Sequence, residues 1–200
     1  MKYSIVGSGL VGATLAGIFA RRGLEVLIAN SRGPESLAAI TAELGPHVVP
    51  VTVDRALDAD IIFFAVGFLH FKEVAAKRPD WTGKIVIDVT NAFMLPADVQ
   101  ETELRGRLSS EVNAERVPGA KLVKAFNQLP MQSLIAPLPD STGRRVVFVA
   151  SDHEDASAVV ASLAERLGFA PIEIGKIAEG GRLIQARAAL VFQNLVKYPT

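Results

Sequence analysis

The first 32 residues constrain the fold of this chain most strongly. Tyr3 to Val6 is a short apolar run that ends at a glycine-rich segment, Gly7-Ser8-Gly9-Leu10-Val11-Gly12. A helical pattern follows from about Leu10 to Arg22, Gly23 ends it, and residues 24–29 are a second apolar run. A glycine-rich turn between a strand and a helix, about 20 residues before the end of the next strand, is typical of a βαβ unit that binds a dinucleotide.

Each glycine of this segment has a separate predicted role. Gly7 allows the tight turn, Gly9 lets a pyrophosphate approach the backbone, and Gly12 lets the helix and the strand pack closely. The first N–H groups of the helix have no partner within the helix, and the helix dipole favours negative charge there. We therefore expect the phosphates of a dinucleotide at the start of this helix.

The end of the second strand indicates which dinucleotide is bound. NAD sites usually carry Asp or Glu at this point, where it accepts hydrogen bonds from the ribose 2′-hydroxyl. This chain has Asn30-Ser31-Arg32 instead. A hydroxyl and a guanidinium suit a 2′-phosphate, which a carboxylate would repel, so the sequence favours NADP. The alternative is that Arg32 is a solvated turn residue beside Gly33-Pro34.

The rest of the chain alternates between apolar runs and helical patterns. Further strands are predicted at 47–52, 61–66, 84–90, 121–126, 144–150 and 171–174, and helical segments at 34–44, 54–60, 68–77, 110–116, 154–167 and 178–197. Residues 130–143 are predicted to be a loop. This alternation predicts an α/β fold, a Rossmann-type doubly wound, mostly parallel sheet in a three-layer α/β/α sandwich. We expect residues 1–200 to be a single NAD(P)-binding domain with a C-terminal helix.

Composition excludes several classes of function. Lys plus Arg and Asp plus Glu each number 21, so the formal charge is zero and neither a nucleic-acid partner nor a membrane partner is expected. The chain has no cysteine, which excludes disulfides and cysteine-based metal or nucleophilic sites. We see no signal peptide and no apolar run long enough to span a bilayer. A cytoplasmic location is expected.

In open α/β sheets, ligands bind beyond the carboxyl ends of the strands. Five loops follow such ends, at 7–12, 30–32, 66–70, 91–94 and 125–130, and we expect them to converge on one crevice. Among their side chains, His70, Asn91 and Asn127 are equally compatible with ligand contacts and with ordinary cap or turn roles. Asp88 lies within an apolar strand, where a buried carboxylate needs a partner, and a structural hydrogen bond is expected.

Few acid–base groups are available for catalysis. His47 and His153 are expected in solvent-facing loops, and no catalytic or metal-ligating constellation is present. Reduction of a ketone usually needs a proton donor near the developing alkoxide. Hydride transfer between a nicotinamide and a flavin or deazaflavin needs mainly two heterocycles held in position, because the cofactors carry the chemistry. The sequence therefore favours a ring-type hydride acceptor.

Several motifs resemble those of the NADPH-dependent reductases of coenzyme F-420 and the related cytosolic domain of the STEAP metalloreductases. These are the glycine segment 7–12, Asn30-Ser31-Arg32, Asn113-Ala114-Glu115 and residues 118–127, Pro-Gly-Ala-Lys-Leu-Val-Lys-Ala-Phe-Asn. The resemblance implies an NADP-dependent oxidoreductase with coenzyme F-420, FMN or FAD as its acceptor. The cofactor-binding residues expected from the residues and from the resemblance together are Gly7, Ser8, Gly9, Leu10, Val11, Gly12, Asn30, Ser31, Arg32, Ala65, Val66, Gly67, His70, Asn91, Ala92 and Ala125.

The chain departs from the family pattern at two places. Ser36 stands where the deazaflavin enzymes often have a basic residue, which implies weaker selectivity for NADP. Val66-Gly67-Phe68 stands where they often have Ile-Pro-Trp, which bears on the identity of the acceptor.

Two other functions remain open from the sequence. One is an imine or hydroxyacid reductase, although those enzymes add a helical C-terminal domain that is not seen before Thr200. The other is an NADP-binding, redox-sensing module without turnover. Ile184, Val191 and Phe192 widen the apolar stripe of the predicted last helix, which is equally compatible with a homodimer and with a helix that is fully packed as a cap on its own domain.

Overall fold

The structure is a computed structural model, and it describes residues 1–92, 95–138 and 142–199. Residues 93 and 94 of the predicted loop 91–94, and residues 139–141 of the predicted loop 130–143, lie outside the described residues, as does Thr200.

Nine strands form the sheet in the part of the chain that the structure describes. They are β1 Tyr3–Val6, β2 Val26–Ala29, β3 Val48–Pro50, β4 Ile61–Phe64, β5 Ile85–Asp88, β6 Lys121–Ala125, β7 Arg144–Ser151, β8 Ala170–Glu173 and β9 Val196–Lys197. The order is β3-β2-β1-β4-β5-β6-β7-β8, with β9 also paired to β7. The strands from β3 to β6 are parallel, and β7 runs antiparallel to β6. The strand order reverses direction at β1, where β2 lies on one side and β4 on the other, so the crevice that binds ligands in such sheets lies there.

Eight α-helices connect or follow these strands. They are α1 Leu10–Arg21, α2 Ala38–Leu44, α3 Val53–Leu57, α4 Phe68–Ala75, α5 Ala97–Leu104, α6 Ser109–Glu115, α7 Met131–Ile135 and α8 Glu154–Arg166 among the described residues. A 3-10 turn at Pro34–Leu37 precedes α2. Proline is tolerated at such a start because the first N–H groups of a helix have no helical partner.

Alternate residues of the central strands supply two separate cores. Phe63 of β4 packs with Phe19 of α1 and with Val160 of α8 in one core. Its neighbour Phe64 packs on the other face with Phe71 of α4 and with Trp81. Side chains of successive strand residues point to opposite faces, so a strand buried on both faces reads as the unbroken apolar run seen in β4. The predicted mostly parallel sheet with helices on both faces is confirmed.

The predicted C-terminal helix over residues 178–197 is wrong. A single wide helical turn covers Ile177–Gly181 and the helical backbone ends at residue 183. Residues 184–192 form successive turns and bends, and β9 then pairs antiparallel with Arg144 and Arg145 of β7. Gly180 lies so close to the chain that an added Cβ would be 1.8 Å from the Ile174 carbonyl oxygen. The apolar residues that suggested a helical stripe have different environments. Ile184 is fully buried in the cluster at β7, whereas Phe192 is 64% exposed.

Two other segments contain more helix than predicted. Helix α7 occupies part of the segment 130–143 that was predicted to be a loop, and helix α5 precedes the predicted helix in residues 97–117. Both follow a proline at the N-cap position, Pro130 and Pro96, and each has only weak helical patterning of its own. Tertiary packing decides such short helices: Met131 and Leu134 of α7 are buried in the core that contains α1.

Candidate functional site

A cleft of about 710 Å³ opens at the carboxyl ends of β1, β2 and β4. It brings together ten of the residues predicted to bind a cofactor: Gly7, Ser8, Gly9, Asn30, Ser31, Arg32, Ala65, Val66, Gly67 and His70. Further lining residues are Gly33 before the 3-10 turn, Thr52, Val53 and Asp54 at the start of α3, and Glu73, Val74 and Lys77 in or just after α4. The sequence prediction missed these because they lie in or next to helices with no recognisable motif. Their nearness to the glycine segment depends on the strand order β3-β2-β1-β4, which brings the segments after β3 and β4 close to the end of β1.

The three motif glycines have different surroundings. Gly7 has φ +109°, and an added Cβ would lie 2.2 Å from the carbonyl oxygen of Ala65. At Gly12 an added Cβ would lie 1.8 Å from the carbonyl oxygen of Gly7 and 3.2 Å from Ile5 Cγ2. At Gly9, by contrast, nothing lies within 4 Å of an added Cβ. Gly7 and Gly12 are therefore required by the protein itself, whereas the open space at Gly9 is available to a ligand.

Asn30 ties the glycine segment to the end of β2. Its Nδ2 donates to Ser8 Oγ and to Ser36 Oγ, both at 2.9 Å, and its Oδ1 accepts from the Arg32 backbone N–H at 2.9 Å. An aspartate here could still accept from the Arg32 N–H, but its carboxylate could not donate to the hydroxyls of Ser8 and Ser36. Asn30 thus fixes the turn that presents Ser31 and Arg32.

Exposed charged groups surround the outer part of this cleft. Ser31 and Arg32 are exposed, and the Arg32 guanidinium forms no salt bridge with any described residue. Lys77 of the turn after α4 also lines the cleft, together with the carboxylates of Asp54 and Glu73. The Arg32 side chain is free to pair with an anion that enters the cleft.

His70 lies in the first turn of α4. Its backbone N–H donates to the Gly67 carbonyl at 2.9 Å, its side chain is exposed, and the ring lies close enough to Gly67 that a Cβ there would be 3.2 Å from His70 Nδ1. The ring thus covers Gly67 at one wall of the cleft.

A second cavity, of about 270 Å³, lies on the other side of the glycine segment. Its lining is mainly apolar and starts at Leu10 and Val11, the first two residues of α1. The remaining lining residues are Val89, Asn91, Phe126, Asn127, Leu129, Pro130, Met131, Gln132, Ala186, Arg187, Val191 and Phe192. Arg187 is the one charged residue in this described lining.

The backbone around this cavity is unusual. Phe126, Arg187 and Phe192 have φ of 61°, 68° and 66°, in the left-handed region that residues other than glycine rarely adopt. Arg105 is the only further such residue in the described part of the chain, so three of four border one cavity. Strained residues of this kind persist where surrounding structure holds them, and they cluster at ligand sites.

Asn91 and Asn127 pair with each other at the inner end of the second cavity. Asn91 Nδ2 donates to the Asn127 carbonyl oxygen at 3.0 Å, and Asn127 Nδ2 donates to Asn91 Oδ1 at 3.1 Å and to the Ile184 carbonyl oxygen at 2.6 Å. Asn127 Oδ1 is buried and accepts no hydrogen bond from any described residue. The ends of β5 and β6 are joined by this pair.

A buried ionic network lies directly beneath the β5 end. Asp88 and Lys124 are register partners on β5 and β6, and Lys124 Nζ lies 3.2 Å from Asp88 Oδ2. Both side chains are almost fully inaccessible to solvent. Burial lowers the pKa of the Lys124 ammonium, and the neighbouring Asp88 carboxylate opposes that shift. The predicted structural hydrogen bond of Asp88 is confirmed.

The other predicted site residues lie elsewhere. Leu10, Val11 and Asn91 line the second cavity, and Gly12 lies behind the glycine turn. Ala92 packs with Phe68 in a separate apolar cluster, and Ala125 is fully buried in the main core, so neither is among the lining residues of either cavity.

Two kinds of feature are missing from the described part of the chain. Residues 1–92, 95–138 and 142–199 contain no group of three or more His, Cys, Asp or Glu side chains that could hold a metal ion. Over the same ranges, every helix is too short or too polar to cross a bilayer.

The fold and the first cleft define a dinucleotide-binding α/β protein. Comparison with known proteins gives the family. Residues 2–92 match the family described as NADP oxidoreductase coenzyme F420-dependent. Metalloreductase STEAP3 of Rattus norvegicus is 30% identical over 179 residues, which cover 88% of this chain and 34% of that protein. The chain thus spans about a third of the length of this curated relative.

Two solved structures are similar over most of both chains. The hypothetical protein SMa0349 from Sinorhizobium meliloti is 41% identical, with a TM-score of 0.89, and covers 98% of this chain and 96% of its own. A structure assigned as an F-420-dependent NADP reductase from Arthrobacter sp. FB24 is 26% identical, with a TM-score of 0.69, and covers 88% and 86%. Residues 2–92 thus match a family of NADP-dependent oxidoreductases, and the resemblance that the motifs indicated is confirmed.

Proposed function

We propose that this protein transfers hydride between NADP(H), bound in the first cleft, and a planar ring acceptor, a deazaflavin such as coenzyme F-420 or a flavin, bound in the second cavity. The observation that carries this proposal is the position of the glycine segment between the two. Ser8 and Gly9 line the cleft, whereas Leu10 and Val11 line the apolar cavity. A dinucleotide on this segment would have its adenosine half toward β2 and its nicotinamide half toward the second cavity.

The residues of the first cleft fit a phosphorylated dinucleotide. Open space at Gly9 admits a pyrophosphate to the free N–H groups at the start of α1, a 12-residue helix. Ser31 and the unpaired Arg32 would hold the 2′-phosphate, on the turn that Asn30 fixes. Gly7, Ala65, Val66, Gly67 and His70 would line the path of the dinucleotide between β1 and β4.

The second cavity suits a flat apolar ring with an anionic substituent. Leu10, Val11, Leu129 and Met131 offer apolar surface, and the amides Asn91, Asn127 and Gln132 offer hydrogen bonds without acid–base chemistry. Arg187 is exposed and forms no salt bridge with a described residue, which leaves its guanidinium for a phosphate on the acceptor. Coenzyme F-420, FMN and FAD all carry such a phosphate.

The protein's part in the reaction is positional. When bound, the nicotinamide supplies the hydride and the ring acceptor takes it, with the accompanying proton exchanged with solvent. The chain binds and orients the two rings and excludes water between them, since apolar side chains dominate the cavity. No general acid or base is assigned to any residue.

The test is oxidation of NADPH by the purified protein with coenzyme F-420, FMN, FAD or no acceptor. We expect turnover with at least one ring acceptor that exceeds the rate of the same mixture without protein by at least about 100-fold, since positioning alone can contribute several kcal/mol. Tight binding of NADPH without turnover on any acceptor would contradict the reductase function and favour a redox-sensing module.

A further inference from the structure

Two residues of the family motifs have no part in the dinucleotide or acceptor sites described above. Asn113 belongs to the Asn-Ala-Glu motif and Lys124 to the Val-Lys-Ala-Phe-Asn motif. In the structure they meet at one carboxylate, since Asn113 Nδ2 and Lys124 Nζ each lie 3.2 Å from Asp88 Oδ2. All three residues are completely buried. Side chains from α6, β6 and β5 thus form one buried polar cluster.

This cluster holds Thr90 at three atoms. The Thr90 backbone N–H donates to Asp88 Oδ1 at 2.9 Å, the Thr90 carbonyl oxygen accepts from Lys124 Nζ, and Thr90 Oγ1 accepts from Asn113 Nδ2 at 3.2 Å. Thr90 directly precedes Asn91, which lines the second cavity. The position of Asn91 is therefore set by the cluster as well as by its pair with Asn127.

Arg116 connects the same cluster to the wall of the first cleft. Its NH1 donates to Asn113 Oδ1 at 3.0 Å and to the Phe68 carbonyl oxygen at 3.4 Å, and its NH2 pairs with Glu103 Oε2 at 2.7 Å. The guanidinium also lies over the Phe68 ring, 4.8 Å from the centroid. Phe68 follows Gly67, which lines the first cleft. One network thus reaches both the 66–68 loop and the 90–91 loop.

Stability alone gives little reason for a buried ion pair. Replacing such a pair by apolar side chains of similar volume is often neutral or stabilising, because taking two charges out of water carries a large free-energy cost. The strong consequence of this network is geometric: every polar atom of the Asp88 carboxylate and the Thr90 backbone has a defined partner. Fully satisfied buried networks of this kind rigidify their surroundings.

We propose that Asp88, Lys124, Asn113 and Arg116 are positioning residues that hold the two loops around the nicotinamide half of the dinucleotide. This inference rests on the proposed function, because it needs a nicotinamide at these loops. It predicts that damage to the network affects the nicotinamide half and spares the adenosine half, which lies toward β2 and Arg32.

The experiment compares two ligands on wild type, Arg116→Gln and Asn113→Ala. Adenosine 2′,5′-bisphosphate probes the adenosine half, and NADPH probes both halves; calorimetry gives each Kd, and the emission of bound NADPH reports the nicotinamide surroundings. We expect the Kd for NADPH to rise about 10-fold in both variants, with altered emission, because a displaced loop loses one or two hydrogen bonds to the nicotinamide half and each such loss is worth up to about tenfold in Kd. The Kd for the bisphosphate should change less than about twofold.

Two further variants make the result specific. Arg116→Lys keeps a charge near the Phe68 ring and should recover much of the NADPH affinity. Arg107→Gln removes the exposed salt bridge between Arg107 and Glu115 of α6, the helix that also carries Asn113. This variant should bind both ligands as wild type does. Equal weakening of both ligands in Arg116→Gln and Asn113→Ala, or unchanged NADPH binding in both, would overturn the positioning role. Wild type that binds neither ligand would instead refute the proposed function, and the inference with it.

Discussion

The glycine segment gives a prediction in which two similar substitutions have opposite consequences. Gly9→Ala places a methyl group where nothing lies within 4 Å, at a residue with φ −70° that alanine adopts without strain. Gly12→Ala places the same group 1.8 Å from the Gly7 carbonyl oxygen. The first change should therefore spare the protein and damage the ligand site, whereas the second should damage the protein itself.

The expected magnitudes follow from these environments. For Gly9→Ala, the loss of a favourable N-cap residue costs roughly 0.5–1 kcal/mol, and the lower entropy of the unfolded chain returns about 0.4–1 kcal/mol. The free energy of unfolding should change by less than about 1 kcal/mol. The methyl group would displace the pyrophosphate from one or two N–H groups, at about 1.5–3 kcal/mol each, so the Kd for NADPH should rise about 10-fold to more than 100-fold.

For Gly12→Ala, the overlap is with backbone that cannot rotate away, and overpacking of this kind costs about 1–3 kcal/mol or more. At this chain length each kcal/mol lowers Tm by about 2–4 °C, so a loss of about 2–12 °C is expected. Thermal unfolding without ligand measures both variants, and calorimetry with NADPH measures binding. If Gly9→Ala bound NADPH like wild type, the pyrophosphate would not lie at Gly9. If Gly9→Ala lost as much Tm as Gly12→Ala, the two glycines would not differ in their role for the fold.

Three other predictions address charged groups. Arg32→Ala should raise the Kd for NADPH about 10-fold or more and scarcely change that for NADH, as measured by calorimetry; equal losses would remove Arg32 from the 2′-phosphate site. Arg187→Gln should raise the KM for FMN about 10-fold in steady-state assays. The KM for riboflavin, which has no phosphate, should stay nearly unchanged, and equal effects on both KM values would show that Arg187 does not bind the phosphate. Burial lowers the pKa of Lys124 from its ordinary 10.5. Between the lowered pKa and 10.5, the unfolded chain therefore binds more protons than the folded chain, and the free energy of unfolding should rise with pH in that range. Urea unfolding at several pH values should show that this free energy rises less with pH in the double variant Asp88→Leu, Lys124→Met. The same slope against pH in wild type and in the double variant would contradict the lowered pKa.

The amino-terminal half was predictable from sequence because its structure follows local rules. The glycine turn, the helix after it and the unbroken apolar run of β4 each depend on neighbouring residues or on burial on both faces. The presence of a partner for Asp88 could also be expected, since a carboxylate in an apolar strand needs one. Its identity, Lys124, depends on the register between β5 and β6, which the sequence pattern does not specify.

The carboxyl-terminal segment could not be predicted in the same way. Ile184 and Val191 have helical spacing, yet the chain turns repeatedly and uses left-handed backbone at Arg187 and Phe192. The Phe192 N–H donates to the Gln128 carbonyl oxygen at 2.7 Å, so contact with the end of β6 fixes this segment. Tertiary packing overrides helical propensity here. The role of Asn30 was hidden for a related reason, because its partner Ser8 is 22 residues away.

Direct hydride transfer is the central claim, and NADPH deuterated at the transferred C4 position tests it most directly. In single-turnover mixing with coenzyme F-420, we expect deuterium to appear on the reduced deazaflavin ring, with slower reduction than from unlabelled NADPH. Reduction without transfer of the label, or no reduction of coenzyme F-420, FMN or FAD by a protein saturated with NADPH, would contradict the claim.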